Sequence, residues 1–389
     1  MNAPSIQQLL EDKRLLICVG AGGVGKTSMA ATMGVHAAML GRKVLVLTID
    51  PAKRLANSLG LHEFGNEETQ IDLSSLGATE GELWAMMLDG KHAFHELIDR
   101  VAEDEATKQA IYNNNIYQSI ADTIVGNQEY MATEKLYDVI HSGGYDLVIL
   151  DTPPVKNALD FLESPGRMAQ FVDKRIMQWF LADGKDKGML RRLISSTSSK
   201  IFGLLGHIFG KDFLEDIAVF FQHFKELYEG FQERHQAVEQ LFRDPRTGFL
   251  IVFSPTEPAV EVARFFVDQL RVRKMPLLGA VANQCHQAIP SSPEATEQLQ
   301  QMCDGLATDL ASDTTNRMMA RMRSAHNRLL MLQAYEQGLI ANVQQDLLSH
   351  QGLHQVPKVK GEVHDLQALH NVGQFLMNSD QESATKGKE

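Results

Sequence analysis

One run of eight residues has the types and spacing to hold phosphate: Gly20-Ala21-Gly22-Gly23-Val24-Gly25-Lys26-Thr27, a complete G-x-x-x-x-G-K-[ST] pattern. Gly20, Gly22, Gly23 and Gly25 let the backbone curl, so that successive N–H groups, through Val24 to Ser28, turn inward onto phosphate oxygens. The start of a helix adds its partial positive charge at the same place. Lys26 is expected to reach the β- and γ-phosphates, and the Thr27 hydroxyl to ligate Mg²⁺.

Two acidic residues end apolar runs elsewhere. Lys43 to Ile49 reads as a buried strand and stops at Asp50-Pro51-Ala52. Asp50 either caps the following helix or serves an attacking water and the metal; beside a phosphate loop the second reading is preferred. Tyr145-Asp146-Leu147-Val148-Ile149-Leu150-Asp151 is the Walker B pattern, whose carboxylate holds Mg²⁺ directly or through water. Thr152-Pro153-Pro154 then makes a stiff turn suited to a switch that responds to the γ-phosphate.

The elements that position these residues follow from hydrophobic period. Leu15 to Val19 is short enough for one buried strand. After the loop, Met29, Ala30, Met33, Ala37 and Leu40 recur at helical spacing. Leu83 to Leu88 predicts a third strand, and 91–142 a largely helical stretch broken at Asn113-Asn114-Asn115. Residues 160–244 lose all strand signal and carry Phe, Met and Leu at helical spacing. Their longest apolar run, 201–210, is about ten residues against the roughly 20 that span a bilayer. The sheet resumes at Gly248 to Ser254 and Leu277 to Asn283, with a helix over 258–273 between them. A long helix is expected over 312–348, a short strand at Val356-Pro357 and a closing helix over 365–377. This is an α/β fold with a mostly parallel central sheet flanked by helices. A core over 1–159 and 245–378 is interrupted by a helical insertion at 160–244, and 379–389 is expected to be a disordered polar tail.

Composition narrows the function. The net charge of −12 and pI near 5.6 argue against a nucleic-acid partner and a polybasic membrane anchor. Cys18, Cys285 and Cys303 lie far apart with no C-x-x-C, so neither a disulfide framework nor a cysteine zinc site is expected. No secretory leader or integral membrane segment is read, and the cytoplasm is the expected compartment.

The phosphate loop, Asp50-Pro-Ala, Asp151-Thr-Pro-Pro and Val281-Ala282-Asn283-Gln284, in that order over about 14–376, resemble the ArsA/Get family of P-loop ATPases (deviant Walker A class), the ATPases of arsenite pumps and of tail-anchored protein targeting. The resemblance implies bound ATP or ADP with Mg²⁺ and slow, adenine-selective hydrolysis. It implies Asp50 on the attacking water, Asp151 at Mg²⁺, Asn283 on the adenine and Pro357 in the loop over the base. Taken alone, the Asn283 amide offers the donor and acceptor that adenine requires, or simply ends a strand. The family's signature lysine is replaced by Ala21, leaving Lys53, Arg54 and Lys156 as substitutes for a charge acting across a dimer. Zinc between subunits is not expected. The resemblance implies a nucleotide-switched homodimer that binds a hydrophobic client or membrane-protein segment. The client part is expected within 160–244, where Met168, Met177 and Met189 fall. Alternatives are a positioning ATPase like MinD and ParA, or an anion or metalloid pump ATPase.

Overall fold

The computed structural model describes residues 4–49, 54–60, 67–77, 80–88, 99, 105–112, 128–153, 161, 233–234, 236–287, 301, 312–348, 350–359, 361 and 363–385. The strands are β1 (Leu15–Val19), β2 (Lys43–Thr48), β3 (Thr69–Ile71), β4 (Glu82–Met87), β5 (Leu147–Asp151), β6 (Thr247–Phe253), β7 (Leu277–Cys285) and β8 (Gly352–Pro357). The helices are α1 (Ile6–Asp12), α2 (Lys26–Met39), α3 (Arg54–Ser58), α4 (Glu105–Tyr112), α5 (Gln128–Ser142), α6 (Glu257–Val272), α7 (Ser312–Asn342) and α8 (Leu366–Thr385).

Unbroken apolar strands belong in a parallel sheet covered on both faces, because only there are both side-chain rows buried. β1, β5 and β6 are buried at every residue. The sheet order is β3-β4-β2-β5-β1-β6-β7-β8, parallel throughout except for β3, which runs antiparallel on β4 at one edge. From β1 the chain moves outward one way through α2 to β2. From β6 it moves the other way through α6 to β7. Right-handed crossovers in opposite directions put α2 and α6 on opposite faces and leave a crevice at the carboxyl end of β1. The phosphate loop fills that crevice.

The expected strands are present, within a residue or two at their ends apart from β8. That strand starts at Gly352, earlier than the expected Val356-Pro357 pair. The long helix stops at Asn342 and gives way to a π-helical turn, Val343–Leu347. The closing helix does not end at 377 but continues to Thr385, into the stretch expected to be a disordered tail. Among the described residues the insertion is represented by its two ends. Phe161 and Phe242, both fully buried, pack tilted at 51° with ring centroids 5.3 Å apart, and Phe242 meets Phe249 of β6 edge-on at 6.1 Å. Met168, Met177, Met189 and most of 160–244 lie outside the described residues, as do Asp50, Lys53 and Lys156.

Candidate active site

The loop leaves β1 at Gly20 and enters α2 at Lys26. A Cβ on Gly20 would run into the carbonyl oxygen of Val252 in β6, so the loop can cross that strand end only as glycine. Gly25 sits at φ +89° and its missing Cβ leaves room for the Asn283 amide, so it needs glycine for both conformation and space. Gly22 and Gly23 are exposed, Val24 is buried, and Thr27 and Ser28 are half-buried in the first turn of α2. The glycine-rich loop thus leads straight into the N-terminus of α2 with Gly22 and Gly23 open to solvent. That is the cradle a polyphosphate fits.

Lys26 is 93% shielded, and its ammonium donates to the loop's own carbonyls, Ala21 at 2.9 Å and Gly20 at 3.2 Å. The side chain is thus folded back onto the loop it leaves. Thr27 Oγ1 donates to Asp151 Oδ2 at 2.6 Å, joining the motif on α2 to the acid at the end of β5. Sequence reasoning missed the third member of this cluster: Thr48 Oγ1, at the end of β2, donates to the same Oδ2 at 2.9 Å. Its only signal was its position two residues before Asp50. Thr152 Oγ1 donates to the Cys18 carbonyl at 2.7 Å, so the start of the Asp151-Thr-Pro-Pro segment is strapped to β1. Burial pushes the Cys18 thiol well above its ordinary range; Asp151 adds to this and Lys26 opposes it.

Asn283 and Pro357 come from the adjacent ends of β7 and β8, where Cys285 is in register with Pro357 and the Lys358 N–H donates to the Cys285 carbonyl at 2.8 Å. Asn283 is buried, and its Nδ2 donates to the Val24 carbonyl at 2.8 Å. Gln284, in the left-handed region at φ +62°, reaches the Gly23 carbonyl through Nε2 at 3.5 Å. The end of β7 is therefore tied to the phosphate loop, a link that no sequence spacing announces. A carbonyl only accepts, so the amide nitrogen of Asn283 must face Val24 and its oxygen must face away, as an acceptor. Behind it, His286 bonds Glu336 of α7 through its backbone N–H at 3.0 Å and through Nδ1 at 2.6 Å. Burial, with Glu336 second, pushes the Cys285 thiol up to about 12.

The hard oxygen donors of Thr27 and Asp151 suit Mg²⁺. Among the described residues no cluster of three or more His, Cys, Asp or Glu could by itself hold a metal, and no helix is long and apolar enough to cross a membrane.

A family model for anion-transporting ATPases, the ArsA type, matches residues 13–304. Among curated proteins the chain is similar to ATPase GET3 of Podospora anserina, at 26% identity over 255 residues, 65% of this chain and 68% of that protein. It is similar to ATPase get3 of Botryotinia fuckeliana at 24% over 316 residues, covering 77% and 85%. The match to ATPase get3 of Aspergillus terreus is 30% identical over 165 residues, covering 42% of this chain and 46%, about half, of that relative's length.

Proposed function

Since the chain belongs to the anion-transporting ATPase family and is an ATP hydrolase of that family, we propose that it works as a cytoplasmic, Mg²⁺-dependent, nucleotide-switched homodimer of the Get type, coupling ATP binding and hydrolysis to a hydrophobic client or partner. The observation that carries this reading is the shared carboxylate. Asp151 accepts from Thr27 of the phosphate loop and from Thr48 two residues before Asp50, so the groups that feel the phosphates and the segment that would handle the water meet at one atom.

The backbone N–H groups of the loop and the α2 N-terminus bind the β- and γ-phosphates of ATP. Lys26 exchanges its contacts with the Gly20 and Ala21 carbonyls for phosphate oxygens and neutralises charge that builds there. Mg²⁺, when bound with ATP, neutralises the phosphate oxygens, and Thr27, with Asp50 and Asp151 directly or through water, would hold it. Asp50 orients the attacking water. The Asn283 oxygen accepts from the exocyclic amine of adenine, a group that guanine replaces with a carbonyl, and Pro357 borders the base. Ala21 brings no charge to the partner's nucleotide, so Lys53, Arg54 or Lys156 supplies it across the dimer. Hydrolysis releases the γ-phosphate from contact with the Asp50 and Asp151 segments, and client affinity changes with them. The buried, protonated thiols of Cys18 and Cys285 favour this reading over metalloid transport, which wants clustered thiolates.

The test separates binding from turnover. Lys26→Ala is expected to lose tight ATP binding, and Asp50→Asn to keep it with turnover down at least about 100-fold, the scale of losing one positioned catalytic group. Unchanged turnover in Asp50→Asn removes Asp50 from the mechanism. Light scattering that gives a monomer with ADP, ATP and ADP·AlF₄⁻ alike removes the dimer.

A further inference from the structure

Helix α7 carries a second pattern, apart from the residues of the candidate site. Its lower end is anchored. Glu336 is held by His286, Gln337 Nε2 donates to Gln355 Oε1 of β8 at 3.0 Å, and Ile340 is buried. Toward its N-terminus the helix is largely exposed among the described residues, yet apolar. Met318, Leu329, Met331, Leu332 and Tyr335 are five of the nine large hydrophobic side chains most exposed among the described residues. One helix thus holds more of this surface than all the other described elements together.

The spacing says what kind of surface this is. Met318, Met322, Ala325, Leu329, Leu332, Glu336, Leu339 and Val343 follow one another at alternating intervals of four and three. The sequence is therefore a heptad repeat with Met322, Leu329, Glu336 and Val343 at a and Met318, Ala325, Leu332 and Leu339 at d. In its lower part the seam packs on the protein, with Glu336 and Val343 buried and Leu339 half-buried; above that, Leu329 is 43% and Leu332 39% exposed. At ~100° per residue the five upper seam residues fall within about 80° of arc, a stripe as narrow as a coiled-coil seam and narrower than the face a globular helix buries. Leu330, Met331 and Tyr335 lie outside it, so Met318, Leu329 and Leu332 are the exposed side chains that belong to the seam.

The flanks name the partner. Residues 314–335 contain four arginines and no acid, in a chain of net charge −12. Arg321 and Arg328 occupy successive g positions beside the seam, and His326 an e position. A second α7 would bring Arg against His or Gln if parallel, and Arg against Arg if antiparallel, with no opposite charge in either case. A membrane surface asks for a wider apolar face.

We propose that the upper part of α7 is a docking strand for an amphipathic helix of another protein, one with an apolar a/d seam and acidic residues beside it. The site lies outside 160–244 and is independent of the nucleotide reading.

The probe for the full-length protein is a labelled peptide of about four heptads with Leu at a and d and Glu at e and g, compared with its Lys counterpart. The Glu peptide is expected to bind at least tenfold more tightly, and less tightly as salt rises. Arg321→Glu with Arg328→Glu should reverse the preference, and Leu329→Ser with Leu332→Ser should remove binding of both peptides, with ATPase activity retained as the check of folding. Reversal of preference is a result that non-specific stickiness cannot give. The proposal falls if neither peptide binds, if both bind equally, or if the charge-reversed variant keeps the wild-type order. It also falls if the wild type binds phosphatidylserine vesicles but not the Glu peptide, or if Leu329→Ser with Leu332→Ser dissolves a self-association of the free protein.

Discussion

The bond from Asn283 Nδ2 to the Val24 carbonyl makes a prediction that separates two jobs of one side chain. If Asn283 only reads the base, its loss affects nucleotides and spares ligands without a base. If it also holds the phosphate loop, its loss affects both. The bond is 2.8 Å long and buried, and a buried acceptor left unmatched costs about 1–3 kcal/mol. In Asn283→Ala the loop loses that fixed point and must be ordered by the ligand. At roughly 1.4 kcal/mol per tenfold change, affinity for tripolyphosphate with Mg²⁺ should fall about 5- to 150-fold. ATP should fall at least as far, because the base contact goes too. Asn283→Asp keeps an acceptor for the adenine amine but turns an oxygen toward the Val24 carbonyl, so it should weaken tripolyphosphate at least as much as Ala does. Calorimetric titration of wild type and both variants with the two ligands is the assay. Tripolyphosphate affinity unchanged in Asn283→Ala, with ATP weakened, would show that the bond to Val24 contributes nothing to phosphate binding and refute the reasoning.

Other outcomes follow from burial and charge. Cys18 and Cys285 are buried with raised thiol pKa values, so neutral iodoacetamide should leave both unmodified in the native protein and antimonite should not stimulate turnover; peptide mass mapping and an ATPase assay decide this. Burial lowers the His36 pKa below its ordinary 6.5 where the ring stacks on His370 between α2 and α8, so the unfolded chain takes up that proton first as pH falls. Stability present above about pH 6.5 is then lost as pH drops toward the folded value, and urea midpoints at pH 7.5 and 5.5 should differ less in His36→Gln. Hydrogen exchange across 160–244 should differ between the ADP and ADP·AlF₄⁻ forms; identical protection, with no binding of an apolar helix in either, would remove that segment from client binding.

What could be read from the sequence was what period and local motif determine. β1, α2, β2, β5, β6 and β7 are unbroken apolar runs or 3.6-residue repeats, and the phosphate loop and Asp151 sit at their ends by chain connectivity alone. Helix α1 also carries a local sign in its first residues. Ser5 and Gln8 form a reciprocal capping box, with each side chain bonded to the other's backbone N–H. The polarity of 379–389 suggests a disordered tail, although the Gln, Glu and Ala within it do not oppose the helix that runs to Thr385. The ties that complete the site could not be read. Thr48 to Asp151 and Asn283 to Val24 join residues 103 and 259 positions apart, and Val252 is near Gly20 only because β6 pairs beside β1. Three-dimensional closure, not local pattern, makes those contacts.

The contact of Phe161 with Phe242, and of Phe242 with Phe249, bears on how such a chain can diversify. It brings the two ends of a long excursion to within one ring contact, 5.3 Å, and seals them against β6. In loop-closure entropy alone, lengthening the chain between those rings costs only about 0.6 kcal/mol per doubling. The same neck offers an engineer a grafting point for a foreign module, with β5 and β6 left in place.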